Sequence, residues 1–234
     1  MLSRRLALQS LAAVTTASGV MQAQAEQSCE VFTSATQGAV SPDAALQMLK
    51  DGNDRFTQGK TRNCDLLKQL KDTSKQQAPF AVVVGCIDSR VPPEMVFDQR
   101  IGDIFAARIA GNFVNTDILG SLEFATQLAG AKLIVVLGHT ECGAIKGAAD
   151  NAKLGNLTAM LENIRPSLKK LNYKGVPSSK DKELVQKLAD QNAKDAVEKI
   201  LTKSQVINNL VAGGKVKVVS AMHDIGTGKI TWLS

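Results

Sequence analysis

The sequence predicts an α/β fold with a mainly parallel central sheet, crossover helices and an antiparallel C-terminal edge. Three observations carry this. The runs Val82-Val83-Val84 and Leu133 to Leu137 are continuously apolar, as expected of parallel strands buried on both faces. Helical patterns alternate with these strands, the signature of crossover connections. The last two strands, Val216 to Ala221 and Lys229 to Leu233, are joined across Gly226-Thr227-Gly228, too short a link for a parallel crossover.

Taken in order, residues 26–40 are polar and aperiodic and read as an extended arm. Ser41-Pro42-Asp43 is a helix start, with Ser as cap and Pro in the first turn. Ala45, Leu46, Met48, Leu49 and Phe56 continue it as an amphipathic helix ending near Gly59. Leu66, Leu67 and Leu70 mark a second, short apolar helical face. Phe80 to Gly85 is the first strand, and Pro92-Pro93-Glu94 opens a short helix. Asp103 to Ile109 is a strand ending in the loop signal Ala110-Gly111-Asn112. Thr116 or Asp117 is expected to cap a helix carrying Leu119, Leu122, Phe124, Ala125 and Leu128 and closed by Gly130. Helices are expected from Gly143, from Asn156 and from Asp181 through Leu201, with a loop over Lys174 to Lys182. No internal repeat or low-complexity tract interrupts the pattern.

The chain has 234 residues, enough for one domain with a substantial core. Lys and Arg number 28 against 22 Asp and Glu, for a net charge of +6. The excess is spread along the chain rather than clustered, and aromatics make up 4%. Both features argue against nucleic-acid binding. At the N-terminus Arg4-Arg5 precedes an uncharged run to Val20, and Ala23-Gln24-Ala25 is a small-x-small cleavage signal. The expected organisation is therefore a signal peptide over 1–25, an arm over 26–40 and a catalytic α/β domain over 41–234. The protein is expected to be exported to the periplasm without a membrane anchor in the mature form. A Sec signal is favoured, with twin-arginine export the alternative suggested by Ser3-Arg4-Arg5. In an oxidising compartment Cys29 and Cys64 can pair.

Cys86 and Cys142 are read as metal ligands. Cys86, His139 and Cys142 lie just past the ends of two buried strands, where open α/β sheets place their sites. They offer three zinc-type ligands, and catalytic zinc sites keep a further position open. Cys142 near a helix start is favoured as thiolate. Asp88 and Arg90, two apart beyond the same strand as Cys86, can pair, leaving the carboxylate ionised and fixed in orientation. Asp88 can then close the metal's shell as a fourth ligand, or orient a zinc-bound hydroxide. Two thiolates offset the charge of the dication, so activity is expected to rise with pH.

The spacing Cys-x-Asp-x-Arg at Cys86, Asp88 and Arg90, followed by Gly-His-x-x-Cys-Gly-Ala at Gly138 to Ala144, resembles the β-class carbonic anhydrases. Gly102-Asp103-x-Phe105, Arg108-x-Ala110-Gly111-Asn112 and Ser121-Leu122-Glu123 are similar to further motifs of that family. The resemblance implies reversible hydration of carbon dioxide to bicarbonate and a proton. It implies one zinc per subunit on Cys86, His139 and Cys142, and an Asp88–Arg90 catalytic dyad. It assigns substrate binding to Gln77, reaching across a dimer interface, to Phe105 as an apolar wall and to the backbone at Gly143. Val83 stands where the allosterically closed subgroup has Trp, which implies the open form. In that reading Asp88 would be a fourth ligand only in a closed form. Phe124 replaces a frequent Tyr and Ile109 a frequent Asn. A homodimer or dimer of dimers is implied, with the helix from Ser41 as a dimer arm.

Other readings make different demands. The same fold can hydrolyse carbon disulfide or carbonyl sulfide, and a non-catalytic periplasmic zinc-binding protein would hold the metal without an open ligand position. His223, the only other histidine, is read as a structural or surface residue away from the metal rather than a proton shuttle.

Overall fold

The computed structural model describes residues 29–233. In chain order it comprises α1 (Ser34–Gly38), α2 (Pro42–Thr57), α3 (Leu66–Thr73), β1 (Ala81–Gly85), α4 (Pro93–Val96), β2 (Ile104–Arg108) and α5 (Thr116–Glu123). A single π-helical turn, Phe124–Leu128, extends α5. Then follow β3 (Leu133–His139), α6 (Gly143–Ala149), α7 (Gly155–Leu161), α8 (Arg165–Lys170), α9 (Lys182–Lys203), α10 (Gln205–Ala212), β4 (Lys217–His223) and β5 (Ile230–Leu233).

The strands form one sheet in the order β2-β1-β3-β4-β5. All neighbours are parallel except β4 and β5, the antiparallel edge. Val82, Val83 and Val84 are at most 1% exposed, because β1 is flanked by strands on both sides and covered on both faces. One face packs Val83, Val135, Leu137 and Ala221 against Ala45 and Leu49 of α2, Val96 of α4 and Phe97 just after it. The other packs Val82, Val84, Ile134 and Val136 against Leu122 of α5 and Ala193, Ala196 and Ile200 of α9. Each Val, Leu, Ile or Phe side chain so removed from water contributes roughly 1.5–3 kcal/mol before chain entropy is counted. Both β1 and β3 end at the same edge of the sheet, where Cys86, Cys142 and Ile145 join a third buried cluster.

Several expectations are corrected. The arm is not simply extended: it carries α1, capped by Thr33, and is tied to Cys64 by the Cys29–Cys64 disulfide. Gln37, on α1, is buried and donates to the Pro79 and Ala129 carbonyls, at 2.7 and 2.8 Å. Asn115, not Thr116 or Asp117, caps α5, its side chain accepting from the Ile118 N–H. The leucines of α3 do form a helical face, but Leu66, Leu67 and Leu70 are exposed and Gln69 is the buried residue. Helices α8 and α10 were not expected. Pro166 in the first turn of α8 and Ser204 capping α10 are their local signals. The expected signal peptide lies outside the described residues. Among the described residues no helix is long and apolar enough to cross a membrane.

Candidate active site

Two loops and one helix start converge beyond the carboxyl ends of β1 and β3. The chain leaves β1 at Gly85 and places Cys86 inward; it leaves β3 at His139 and reaches Cys142, the cap of α6. Cys86, His139 and Cys142 are all buried, and their ligand atoms lie within 4.8 Å of one another. The two sulfurs are 3.9 Å apart.

Each of these side chains is oriented by backbone. His139 Nδ1 lies 2.9 Å from the Thr140 carbonyl oxygen. A proton on Nδ1 satisfies that contact and leaves the lone pair on Nε2, an arrangement common among metal-bound histidines. Nε2 itself is buried and has no hydrogen-bond partner among the described residues. A buried imidazole lone pair beside two thiols costs free energy unless something accepts it, and this donor set fits zinc. Cys86 Sγ accepts from the Gly111 N–H at 3.3 Å. The Cys86 thiol is pulled well below its ordinary range, first by its hydrogen bond with Cys142 and then, against burial, by His139 and the Gly111 and Asp88 N–H groups. Cys142 is pushed up by the same bond, by burial and by the charge of Cys86, although the Ile145 and Ala144 N–H groups oppose this. Without a cation the pair thus keeps one proton; a dication favours losing both.

Asp88 and Arg90 form the expected pair. Arg90 Nε donates to Asp88 Oδ1 at 2.9 Å, Nη2 donates to Oδ2 at 2.7 Å, and the Arg90 backbone N–H donates to Oδ1 at 3.0 Å. This planar double contact holds the carboxyl far below the usual carboxylate range, with the Arg90 side-chain bond the largest cause. Asp88 Oδ2 is 3.9 Å from His139 Nε2, so the carboxylate borders the ligand cluster. Arg108 braces the loop from below. Its Nε donates to the Cys86 carbonyl at 2.8 Å and its Nη2 to the Asp88 carbonyl at 2.6 Å.

The residues expected to bind substrate are placed unevenly. Gly143 opens α6 beside Cys142, and nothing stands within 4 Å of where a Cβ would be, so the space in front of it is open. Phe105 lines an open groove of about 570 Å³ with Val82, Ser121 and Phe124. Its ring meets Phe124 edge-on at 6.2 Å. It lies three residues down β2 from Arg108, outside the immediate cluster. Gln77 is exposed and precedes β1, beyond the strand end opposite Cys86. Five strand residues between them span about 17 Å, so one chain does not bring Gln77 to the cluster.

His223 corrects the expectation of a residue remote from the metal. It is the register partner of His139 across β3 and β4, and it is 2% exposed. Neighbouring residues in register share a face of the sheet. This placement depends on strand pairing, which no local sequence signal reveals. Asn192 on α9 was also not singled out; it donates to the Gly111 carbonyl at 2.8 Å.

The family model for carbonic anhydrase matches residues 81–230, which contain the cluster and the dyad. The chain belongs to the carbonic anhydrase family. It is 31% identical over 195 residues to carbonic anhydrase 2 of Mycobacterium tuberculosis, covering 81% of this chain and 91% of that one. It is 33% identical to the carbonic anhydrase of Mycolicibacterium smegmatis, covering 81% and 92%. Among solved structures it is similar to the β-carbonic anhydrase CafA of Aspergillus fumigatus, with TM-score 0.65, 28% identity and coverage of 82% and 90%. It also resembles two tetrameric β-carbonic anhydrases of Sordaria macrospora, with TM-score 0.63 and 25% identity, covering 82% and 98%. The fold is that of the β class, and zinc is the metal that the Cys86–His139–Cys142 set of this carbonic anhydrase fits.

Proposed function

We propose that this carbonic anhydrase hydrates carbon dioxide at a zinc held by Cys86, His139 and Cys142, with Asp88 and Arg90 as its dyad. The observation that carries the reading is the buried, unpartnered His139 Nε2 facing two cysteine sulfurs, with an ionised Asp88 at its rim. When bound, zinc supplies the Lewis acidity that makes water a nucleophile near neutral pH. The chain's own residues do the rest. Asp88, an acceptor only, takes a hydrogen bond from the nucleophile and so aims its lone pair outward. Arg90 fixes the carboxylate plane by its double contact. His139 keeps its proton on Nδ1, against the Thr140 carbonyl. Both Asp88 oxygens are engaged by Arg90, which supports the open form over one in which Asp88 closes the shell.

The working unit we propose is a homodimer or dimer of dimers. Gln77 lies at the wrong end of β1 for its own cluster, β2 is a sheet edge unpaired among the described residues, and Phe105 and Phe124 line a groove beside it. A second copy supplies both the missing glutamine and the cover for that edge. We also propose export to the periplasm. The Arg4-Arg5 to Ala25 pattern supports it, as does the Cys29–Cys64 disulfide, because such bonds persist in oxidising compartments.

The test is a side-by-side assay of carbon dioxide hydration and of carbon disulfide and carbonyl sulfide hydrolysis on one preparation. Hydration is expected to dominate; hydrolysis of either sulfur compound without hydration would overturn the assignment.

A further inference from the structure

The inward face of α9 is apolar along its length, built from Leu184, Val185, Leu188, Ala189, Ala193, Ala196 and Ile200, with one polar break at Asn192. Asn192 is 3% exposed. Burying an amide is costly unless it is hydrogen-bonded, and its Nδ2 donates to the Gly111 carbonyl at 2.8 Å. Gly111 in turn donates its own N–H to Cys86 Sγ at 3.3 Å. The glycine is held on its other sides as well. Its φ is +82°, and a Cβ there would stand 2.6 Å from Ile164 Cδ1 and 3.1 Å from Ala144 Cβ. Asn192 therefore anchors one peptide of a residue whose other peptide faces the ligand sulfur.

We infer that Asn192 is a positioning residue for the metal centre: it holds Gly111 so that the Gly111 N–H points at the Cys86 sulfur. An N–H aimed at a thiolate draws charge from the sulfur and leaves the bound cation more electron-poor. The side chain touches neither metal nor substrate and acts only through Gly111. The inference rests on Cys86 being a zinc ligand, so its test carries a check on that point.

Zinc affinity by chelator competition, the sulfur-to-metal charge-transfer band of the cobalt-substituted protein and the pH midpoint of hydration are measured on full-length chains. The variants are Asn192→Leu, Cys86→Ser and Ile200→Ala, with the unmodified protein alongside. Asn192→Leu is expected to bind zinc about 10- to 100-fold more weakly, to move the band to longer wavelength and to raise the midpoint. Ile200, on the same helix face but packed with Ala193 and Val216, reports helix loosening alone; its variant should melt earlier and move none of the three readouts. If Asn192→Leu melts earlier but keeps zinc affinity within threefold, the band and the midpoint, Asn192 is merely structural and the inference fails. If Asn192→Leu does not fold, Asn192→Ala, which removes the donor without adding bulk, is measured by the same criteria. Wild-type zinc affinity in Cys86→Ser would instead overturn the ligand assignment.

Discussion

His139 and His223 stand side by side on β3 and β4, register partners with both rings buried. Neither ring nitrogen of His223 has a hydrogen-bond partner among the described residues. Its pKa is lowered from the ordinary imidazole value, chiefly by burial and then by His139, with Asp224 and Asp88 opposing. The folded protein therefore takes up this proton less readily than the unfolded chain does. Stability is full above the unfolded histidine pKa of about 6.5 and declines as pH falls through it. His223→Phe removes the titrating ring. The expected outcome is a melting temperature that falls less between pH 7.5 and 5.5 than in the unmodified protein, read by thermal unfolding of zinc-loaded samples. Parallel curves for the two would contradict the account.

Asp88 is expected to matter for turnover and not for metal retention. Asp88→Ala leaves Cys86, His139 and Cys142 in place, so zinc content should stay near one per chain while hydration falls about 100-fold or more, the scale of losing a positioning contact. Arg90→Lys keeps the charge but loses the double contact, and a smaller loss is expected. Metal analysis beside stopped-flow rates checks both. Loss of zinc from Asp88→Ala would favour a metal-holding protein in which Asp88 is a ligand.

Because Arg90 holds the Asp88 carboxyl far below the usual range, Asp88 does not titrate within the working range. Two cysteine thiolates offset the charge of the cation, so the activating proton leaves at higher pH than in a site of three neutral imidazoles. Hydration should rise from pH 6.5 to 9, and Asp88→Asn, which removes a negative charge beside the nucleophile and leaves Arg90 uncompensated, should lower the curve and move its midpoint to lower pH. A rate flat from mildly acidic to alkaline pH would contradict this.

The Cys29–Cys64 bond spans a sequence separation of 35. It anchors an arm whose Phe32 ring lies 5.3 Å from that of Phe80, just before β1. Closing a loop of this length is worth about 2–4 kcal/mol. The double variant Cys29→Ser, Cys64→Ser should therefore melt about 5–15 °C lower. Its hydration rate at 25 °C should be unchanged, since the bond is remote from Cys86. An unchanged melting temperature would show that the bond adds nothing to the stability of the fold.

What could be read from the chain divides along physical lines. β1, β3 and the Cys86–His139–Cys142 cluster were legible because apolar runs, strand ends and the His-x-x-Cys spacing are short-range signals, and so was the Asp88–Arg90 pair. His223 was not, because its place beside His139 depends on the pairing of β3 with β4, 84 residues apart in sequence. Asn192 looked like one more polar residue on a charged helix; only the contact with Gly111 distinguishes it. The leucines of α3 announced a helix correctly, but not that Gln69 would be the buried residue, bonding the Ile101 N–H at 3.0 Å. Helix α10 escaped because its cap, Ser204, follows α9 without a break.

The most direct test of the central claim is zinc titration into metal-free protein, with bound metal and carbon dioxide hydration measured on the same samples from pH 7 to 9. The rate is expected to grow in proportion to bound zinc and to saturate at one ion per chain. A fully zinc-loaded protein with no hydration activity across that range would contradict it.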